Sequence, residues 1–267
     1  MLITSRQNGN VKRAASLKQK KNRDFFGEYL VEGEKLVCEA FETGQSVRAV
    51  FASQKYAQLA KKLVCESQNK CDLNSGGFVS PELFEVSDGV LESVSDEVTP
   101  QGIVAVVKIN KNPPIGRLTH TLLLDRLQDP GNVGAILRLA AAAGISDVFL
   151  ISCADPYSPK AVRSSMSGLF RVNLHFTDER RAVEFFKQNG ISLICADMSG
   201  ENIFSFTPPE KFCLCVGNEG NGISEYLKCS ANETVSVPMR GGVESLNVGI
   251  AAGITLYTLL NDKTIKF

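Results

Sequence analysis

Three short stretches in the second half of the chain concentrate the side chains able to do chemistry. They are Asn132-Val133-Gly134 with Arg138, the loop Gly217-Asn218-Glu219-Gly220-Asn221-Gly222, and Ser245-Leu246-Asn247. Asn, Ser and Glu read the polar edge of a ligand by hydrogen bonding. Glycines leave backbone N–H and C=O groups bare, so a ligand can lie against them with no Cβ to hold it away. The second loop is neither a dinucleotide fingerprint nor a P-loop, because it lacks the GxGxxG spacing of one and the Lys-Ser/Thr of the other. Alone, a glycine-rich turn after a strand is most simply a tight connection; three polar loops at strand-to-helix junctions describe a site. Arg138 lies six residues into an apolar helix-forming stretch, where an unpaired guanidinium is costly. It calls either for an anionic ligand or for an internal carboxylate such as Glu219.

The elements that position these loops alternate. His120 to Asp125 is a near-continuous apolar run of the buried-parallel-strand type, followed by a helix from Asn132 to Ala143 that stops at Gly144. Strands follow at Asp147–Ile151, Val172–Phe176, Ile191–Ala196, Phe212–Val216 and Thr234–Val237. Helices are expected over Pro159–Met166, over Asp178–Lys187 with Thr177 as cap, and after Asn247. Such alternation predicts a parallel sheet covered on both faces, with ligands at the carboxyl ends of the strands. The first hundred residues alternate more weakly. A helix is expected from Asn10, its N-cap, to Lys21, then strand Glu28–Glu32, helix Lys35–Phe41, strand Val47–Ala52, helix Tyr56–Cys65, a turn at Asn74–Gly77 and strand Ile103–Lys108. Periodicity breaks at Lys111-Asn112-Pro113-Pro114-Ile115-Gly116, which reads as a linker. The expected organisation is therefore a smaller α/β domain over 1–110, a linker over 111–117 and a larger domain over 118–267.

The chain has 267 residues, 43% of them hydrophobic, enough for two modest cores. Its 29 basic and 29 acidic residues exclude a globally basic nucleic-acid binder, so any such contact must come from local patches. One is present: Arg6, Lys12, Arg13, Lys18, Lys20, Lys21 and Arg23 crowd the start, with Asp24 and Glu28 nearby. It reads equally as a solvated helix face. The eight cysteines contain no CxxC pair, and Cys38, Cys195, Cys213 and Cys215 lie in apolar runs where free cysteine behaves as a small hydrophobe. His120 and His175 have no partner at ligand spacing, so no metal is expected. The start has no signal-peptide core and no run approaches membrane-spanning length. A cytoplasmic setting without membrane contact is the expectation.

The motifs are also recognisable. Leu124-Asp125-Arg126-Leu127-Gln128-Asp129-Pro130-Gly131-Asn132-Val133-Gly134-Ala135-Ile136-Leu137-Arg138 resembles the first motif of the SpoU/TrmH family of RNA 2′-O-ribose methyltransferases, in the SPOUT superfamily. Val216 to Gly222 resembles the second motif. Val237-Pro238-Met239 with Ser245-Leu246-Asn247-Val248 resembles the third. Lys21-Asn22-Arg23, Tyr29 to Gly33 and Thr99 to Ile103 resemble the ribosomal-protein-like RNA-binding domain that precedes the catalytic domain in many members.

The resemblance implies an α/β fold whose C-terminal parallel sheet carries a deep trefoil knot, an exception to the rule against knots. It implies S-adenosylmethionine as cofactor, held at Gly217, Val237 and Leu246 with Ala196 close by. It assigns catalysis to the arginine matched by Arg138, in a pocket shaped by Asn132, Glu219, Ser245 and Asn247. Guanidinium is permanently protonated, so Arg138 is expected to position the ribose hydroxyl and adjacent phosphate and to stabilise developing alkoxide charge. Arg23, Lys12, Lys20, Lys21, Arg163 and Lys160 are the expected RNA contacts. The implied assembly is a homodimer, and the N-terminal extension favours ribosomal over transfer RNA. A non-catalytic RNA-binding or ribosome-assembly protein of the same fold is the competing class; a nucleotide-dependent oxidoreductase is more distant. Departures are Ala135 and Leu139 where threonine is common, Gly249 for a serine, and Ser167 where a glycine is usual.

Overall fold

The computed structural model describes residues 2–71, 80–111, 113–115, 119–242 and 245–261. The chain divides into two compact units, Met1–Lys111 with Tyr157–Phe170, and Asn112–Pro156 with Arg171–Phe267.

The first unit begins with α1 (Gly9–Ser16), whose N-cap is Asn8: its side chain accepts from the backbone N–H groups of Asn10 and Val11. The single helix expected from Asn10 to Lys21 is in fact two, because α1 ends near Leu17 and α2 (Lys20–Phe26) starts anew. Arg23 enforces the break. Its guanidinium donates to the carbonyls of Leu17 at 2.7 Å and Lys18 at 2.8 Å, satisfying groups that a continuing helix would have used. Next come β1 (Glu28–Glu32), α3 (Glu34–Glu42), β2 (Val47–Ala52), α4 (Ala57–Cys71), β3 (Glu82–Glu85), α5 (Asp88–Val94) and β4 (Ile103–Lys108). The sheet order is β1-β4-β2-β3, with β4 antiparallel to both neighbours and β2 parallel to β3. Sequence periodicity missed β3 and α5. β3 is a four-residue edge strand with no fully buried residue, so it carries no apolar alternation to detect. The turn expected at 74–77 lies outside the described residues. Leu17, Leu30, Phe51, Val90 and Val104 close this unit's core.

The second unit contains β5 (His120–Asp125), α6 (Pro130–Ala142) and β6 (Asp147–Ile151). The crossover helix α7 (Pro159–Ser165) follows in sequence but groups with the first unit. Then come β7 (Asn173–Phe176), α8 (Glu179–Gln188), β8 (Ser192–Asn202), β9 (Phe212–Val216), α9 (Glu225–Ser230), β10 (Glu233–Ser236) and α10 (Val248–Leu260). The six strands run parallel in the order β10-β8-β9-β5-β6-β7. Asp178, not Thr177, caps α8, since its carboxylate accepts from the N–H of Arg181 at 3.0 Å. Leu123, Phe149, Phe186, Leu193, Cys195, Cys213 and Cys215 belong to one apolar core cluster. The registers Leu124↔Val216 and Cys195↔Cys215 bring the carboxyl ends of β5, β9 and the first half of β8 level.

β8 runs six residues past the expected Ala196. β10 pairs with it at Cys195, then skips to Glu201 between Thr234 and Val235, leaving a bulge. Gly200 allows this: a Cβ there would lie 2.5 Å from the carbonyl carbon of Thr234 and 2.5 Å from the nitrogen of Val235. Backbone cannot yield as a flexible side chain can. Gly200→Ala is expected to cost about 1–3 kcal/mol as overpacking, lowering the thermal midpoint by several degrees in a circular-dichroism melt. An unchanged midpoint would mean that β10 does not need this approach.

Candidate functional site

A cavity of about 570 Å³ opens at the carboxyl ends of β9 and β10 and the middle of β8, a volume within the range of small-molecule sites. Its walls come from Ala196 to Met198, Val216 to Gly220, Val235 to Val237, and the segment Ser245–Val248 leading into α10. The four positions expected to hold the cofactor, Ala196, Gly217, Val237 and Leu246, all lie on it, as do Glu219, Ser245 and Asn247. Among the described residues the lining carries two carboxylates, Asp197, which pairs with Lys228, and Glu219, and no Lys or Arg. That chemistry is wrong for a dinucleotide pyrophosphate, which needs donors and cations. It suits a flat, largely neutral heterocycle with a cationic centre, and S-adenosylmethionine, with an adenine and a sulfonium, matches it.

Three side chains tie the loops together. Asn247 caps α10, its Oδ1 accepting from the N–H groups of Gly249 at 2.9 Å and Ile250 at 3.4 Å. Its Nδ2 donates to Asn132 Oδ1 at 3.0 Å, and Asn132 Nδ2 donates to Glu219 Oε1 at 2.8 Å. Glu219 Oε2 also accepts from the backbone N–H of Gln128 at 3.4 Å. The direction of every bond follows from the first, because backbone donors fix which end of the Asn247 amide is oxygen. Burial pushes the Glu219 carboxyl upward, but the Asn132 amide and backbone N–H groups outweigh it and leave the group below the ordinary glutamate range.

The second loop is a closed ring. Asn218 and Gly222 exchange backbone hydrogen bonds at 3.1 and 2.9 Å, and Asn218 Oδ1 accepts from Gly220 and Asn221. A Cβ on Gly217 would sit 2.4 Å from backbone atoms of Gly222 and Ile223. The close packing of the loop on its own strand end thus requires glycine at Gly217. The loop is anchored beneath by Asp125, fully buried, which accepts from Ser224 N–H at 2.7 Å and from the Arg126 guanidinium at 3.0 Å.

Sequence reasoning passed over Asp197. It directly follows Ala196, lines the cavity, and pairs with Lys228 at 2.6 Å while accepting from the N–H and hydroxyl of Ser199. Burial acts to raise its pKa, yet Lys228 and Ser199 bring it down to about 2. A strand-end aspartate next to an expected cofactor position was the available signal.

Arg138 stands apart. It is exposed on α6, about 9 Å along the axis from Asn132 and on another face. It does not line the cavity and makes no ion pair among the described residues. The burial cost expected of it does not arise, and Glu219 bonds Asn132 and Gln128 instead. Among the expected RNA contacts, Arg23 is only 4% exposed and holds α1 in place, which removes its side chain from any surface role. Lys20 pairs with Asp24 at 2.8 Å, and Arg163 with Asp96 at 3.2 Å. Lys12, Lys21 and Lys160 are exposed. Two of the departures meet in space: a Cβ on Gly249 would lie 3.8 Å from that of Ala135, so small residues face each other where α10 packs on α6. Among the described residues no group of three or more His, Cys, Asp or Glu is placed to hold a metal, and no helix is long and apolar enough to cross a membrane.

Residues 119–257 match the model of the SpoU rRNA Methylase family, and residues 8–105 match the MRM3-like substrate binding domain. An uncharacterised tRNA/rRNA methyltransferase of Synechocystis sp. is 33% identical, covering 96% of this chain and 92% of that protein. The 23S rRNA (guanosine(2553)-2′-O)-methyltransferase RlmP of Bacillus subtilis is 31% identical over 96% of this chain and 98% of its own. The AdoMet-bound structure of an rRNA methyltransferase from Sinorhizobium meliloti superposes with a TM-score of 0.83, at 26% identity, covering 97% of both chains.

Because its folded pKa lies below the ordinary 3.8, Asp197 contributes stability that is present above pH 4 and lost as the pH falls towards 2. Asp197→Asn should flatten the pH dependence of denaturant midpoints between pH 4 and 2, and Lys228→Met should move the Asp197 titration upward in carboxylate NMR. A titration that stays near 2 in Lys228→Met would show that the lysine is not its cause.

Proposed function

The chain belongs to the SpoU rRNA methylase family, and from that premise we propose that it transfers the methyl group of S-adenosylmethionine to a ribose 2′-hydroxyl of large-subunit ribosomal RNA. The enzyme is an S-adenosylmethionine-dependent RNA 2′-O-methyltransferase. The observation that carries the assignment is the cavity lined by Ala196, Gly217, Val237 and Leu246 beside the Asn247–Asn132–Glu219 chain. The similarity along nearly the whole chain to proteins named as methyltransferases disfavours a non-catalytic relative.

S-adenosylmethionine supplies an electrophilic methyl group when bound. Ala196, Gly217, Val237 and Leu246 are assigned its binding, through main-chain groups and apolar contact. Glu219 stays ionised through Asn132 and Gln128 and provides negative charge at the cavity wall, whereas the charge of Asp197 is met by Lys228. Asn132, Glu219, Ser245 and Asn247 shape the wall that the ribose meets. Methyl transfer is an in-line displacement, so holding the hydroxyl at near-attack distance accounts for much of the rate. The resemblance assigns that task to Arg138, although it lies outside the cavity of its own chain. Exposed and without an ion pair among the described residues, it is available to an RNA phosphate and can stabilise the alkoxide as the hydroxyl proton leaves.

The first unit is assigned substrate binding and the second catalysis, with a linker near residues 111–117 and a trefoil knot in the second. The working form is assigned as a homodimer in the cytoplasm. Supporting the dimer, α10 is apolar nearly all round yet leaves Ile250 56% and Tyr257 40% exposed, a face that a second copy would cover.

Arg138→Ala should keep the wild-type melting temperature and lose roughly a hundredfold or more in tritiated-methyl transfer to ribosomal RNA; near-normal turnover would remove Arg138 from the mechanism. Light scattering on gel-filtered protein should give twice the 29.0 kDa chain mass, falling to one copy in Ile250→Asp. A wild-type mass of one copy would exclude the dimer.

A further inference from the structure

α2 carries an aromatic ring where solvent exposure is hard to explain by folding. Phe25 is 79% exposed, while its neighbour Phe26 is half-buried and lies edge-on to it, ring centroids 4.9 Å apart at 83°. The far partner of Phe26 is the Arg13 guanidinium, 4.5 Å from its centroid, so one ring is engaged and the other is presented. The setting of Phe25 is cationic. Lys21, one helical turn earlier and so on the same face, is exposed and has no ion pair or hydrogen bond among the described residues, whereas Lys20 is tied to Asp24. On the other side the chain turns at Gly27, in the left-handed region with φ of 64°. The stem of Lys111 lies over it: a Cβ at Gly27 would sit 3.3 Å from Lys111 Cε and 3.7 Å from Nζ. Lys111 is likewise exposed and without an ion pair among the described residues.

We propose that Phe25, with Lys21 and Lys111, forms a stacking platform for one unpaired nucleotide of the RNA substrate. The inference rests on the RNA-modifying reading above and adds to it the form the RNA must take. A ring with Lys21 one turn before it and Lys111 over the following Gly27, both without an ion pair among the described residues, is poorly suited to an apolar protein partner, which would have to desolvate the ammonium groups. An extruded nucleotide satisfies all three at once: its base covers the ring and its two flanking phosphates meet the lysines. In a continuous A-form duplex the bases are stacked inside and offer no face. The substrate region gripped by the first unit is therefore a loop or bulge.

The chain contains no tryptophan, so Phe25→Trp supplies a single reporter. Its fluorescence should be quenched on titration with a ribosomal-RNA hairpin bearing an unpaired loop, and not with a duplex of equal phosphate count at the same salt. Phe25→Ala should weaken hairpin binding by about tenfold, leave duplex binding unchanged, and raise KM for the hairpin with kcat at saturating RNA preserved. Lys21→Gln and Lys111→Gln should each lower the slope of log affinity against log salt by about 0.7 to 0.9. Equal quenching by duplex, or hairpin affinity unchanged in Phe25→Ala, overturns the platform. If the wild type transfers methyl groups while Phe25→Ala binds the hairpin normally, the platform falls and the methyltransferase reading stands. If the wild type transfers none, the reading falls and the quenching alone decides the platform.

Discussion

The second unit depends on one chain of hydrogen bonds, from the first N–H groups of α10 through Asn247 and Asn132 to Glu219. Each link uses groups that would otherwise be left to solvent. A helix N-terminus leaves four N–H groups unsatisfied, and Asn247 takes two of them. That fixes its amide, which in turn fixes Asn132, whose remaining donor can only be satisfied by a strong acceptor. An ionised carboxylate is the strongest available, and charge-assisted bonds of this kind are roughly twice as strong as neutral ones. The loops after β5 and β9 and the segment before α10 are thereby locked together, although no two are neighbours in sequence.

Below this chain the loops are held by close backbone approach, which leaves little slack. Gly217 and Gly200 are places where main chain meets main chain at distances no side chain would tolerate. Asp125 fastens the same region from beneath, its buried charge shared between the Ser224 N–H and the Arg126 guanidinium. Arg126 adopts a φ of 57°, uncommon outside glycine, and its carbonyl accepts from Asn218 and Gln128. Local strain at Arg126 is offset by three hydrogen-bonded neighbours that hold the cavity wall. Loops tied to one another by hydrogen bonds lower the ordering cost of binding.

Much of the second unit was readable because buried parallel strands are long apolar runs: β5, β6 and β9 fall at the residues that periodicity selects. The three loops were readable from their polar and glycine content. What escaped was governed by contacts distant in sequence. The extension of β8 exists because β10 lies beside it and Gly200 lets it, and neither is visible in the run Ser199-Gly200-Glu201-Asn202. The position of Arg138 was misjudged because an apolar helix stretch does not reveal which of its faces is covered; α10 packs on α6 and leaves Arg138 outside. In the first unit, Arg23 looked like a surface cation by composition, but its guanidinium closes a helix end that local propensity had continued through.

The same correction changes how the basic start of the chain is understood. Of its seven cations, Arg23 is buried, Arg13 pairs with the buried Glu28 at 2.9 Å, Lys20 with Asp24, and Arg6 with Glu92 at 3.6 Å and the Gly89 carbonyl at 2.8 Å. Arg13 and Arg23 are thus structural, whereas Lys20 and Arg6 form surface pairs. With four of its seven cations paired or buried, the start of the chain gains less from counterion release than its composition suggests. Its discrimination must then come from shape and from contacts that only a correctly folded RNA can make, and the loss of bulk charge attraction is what makes such contacts decisive.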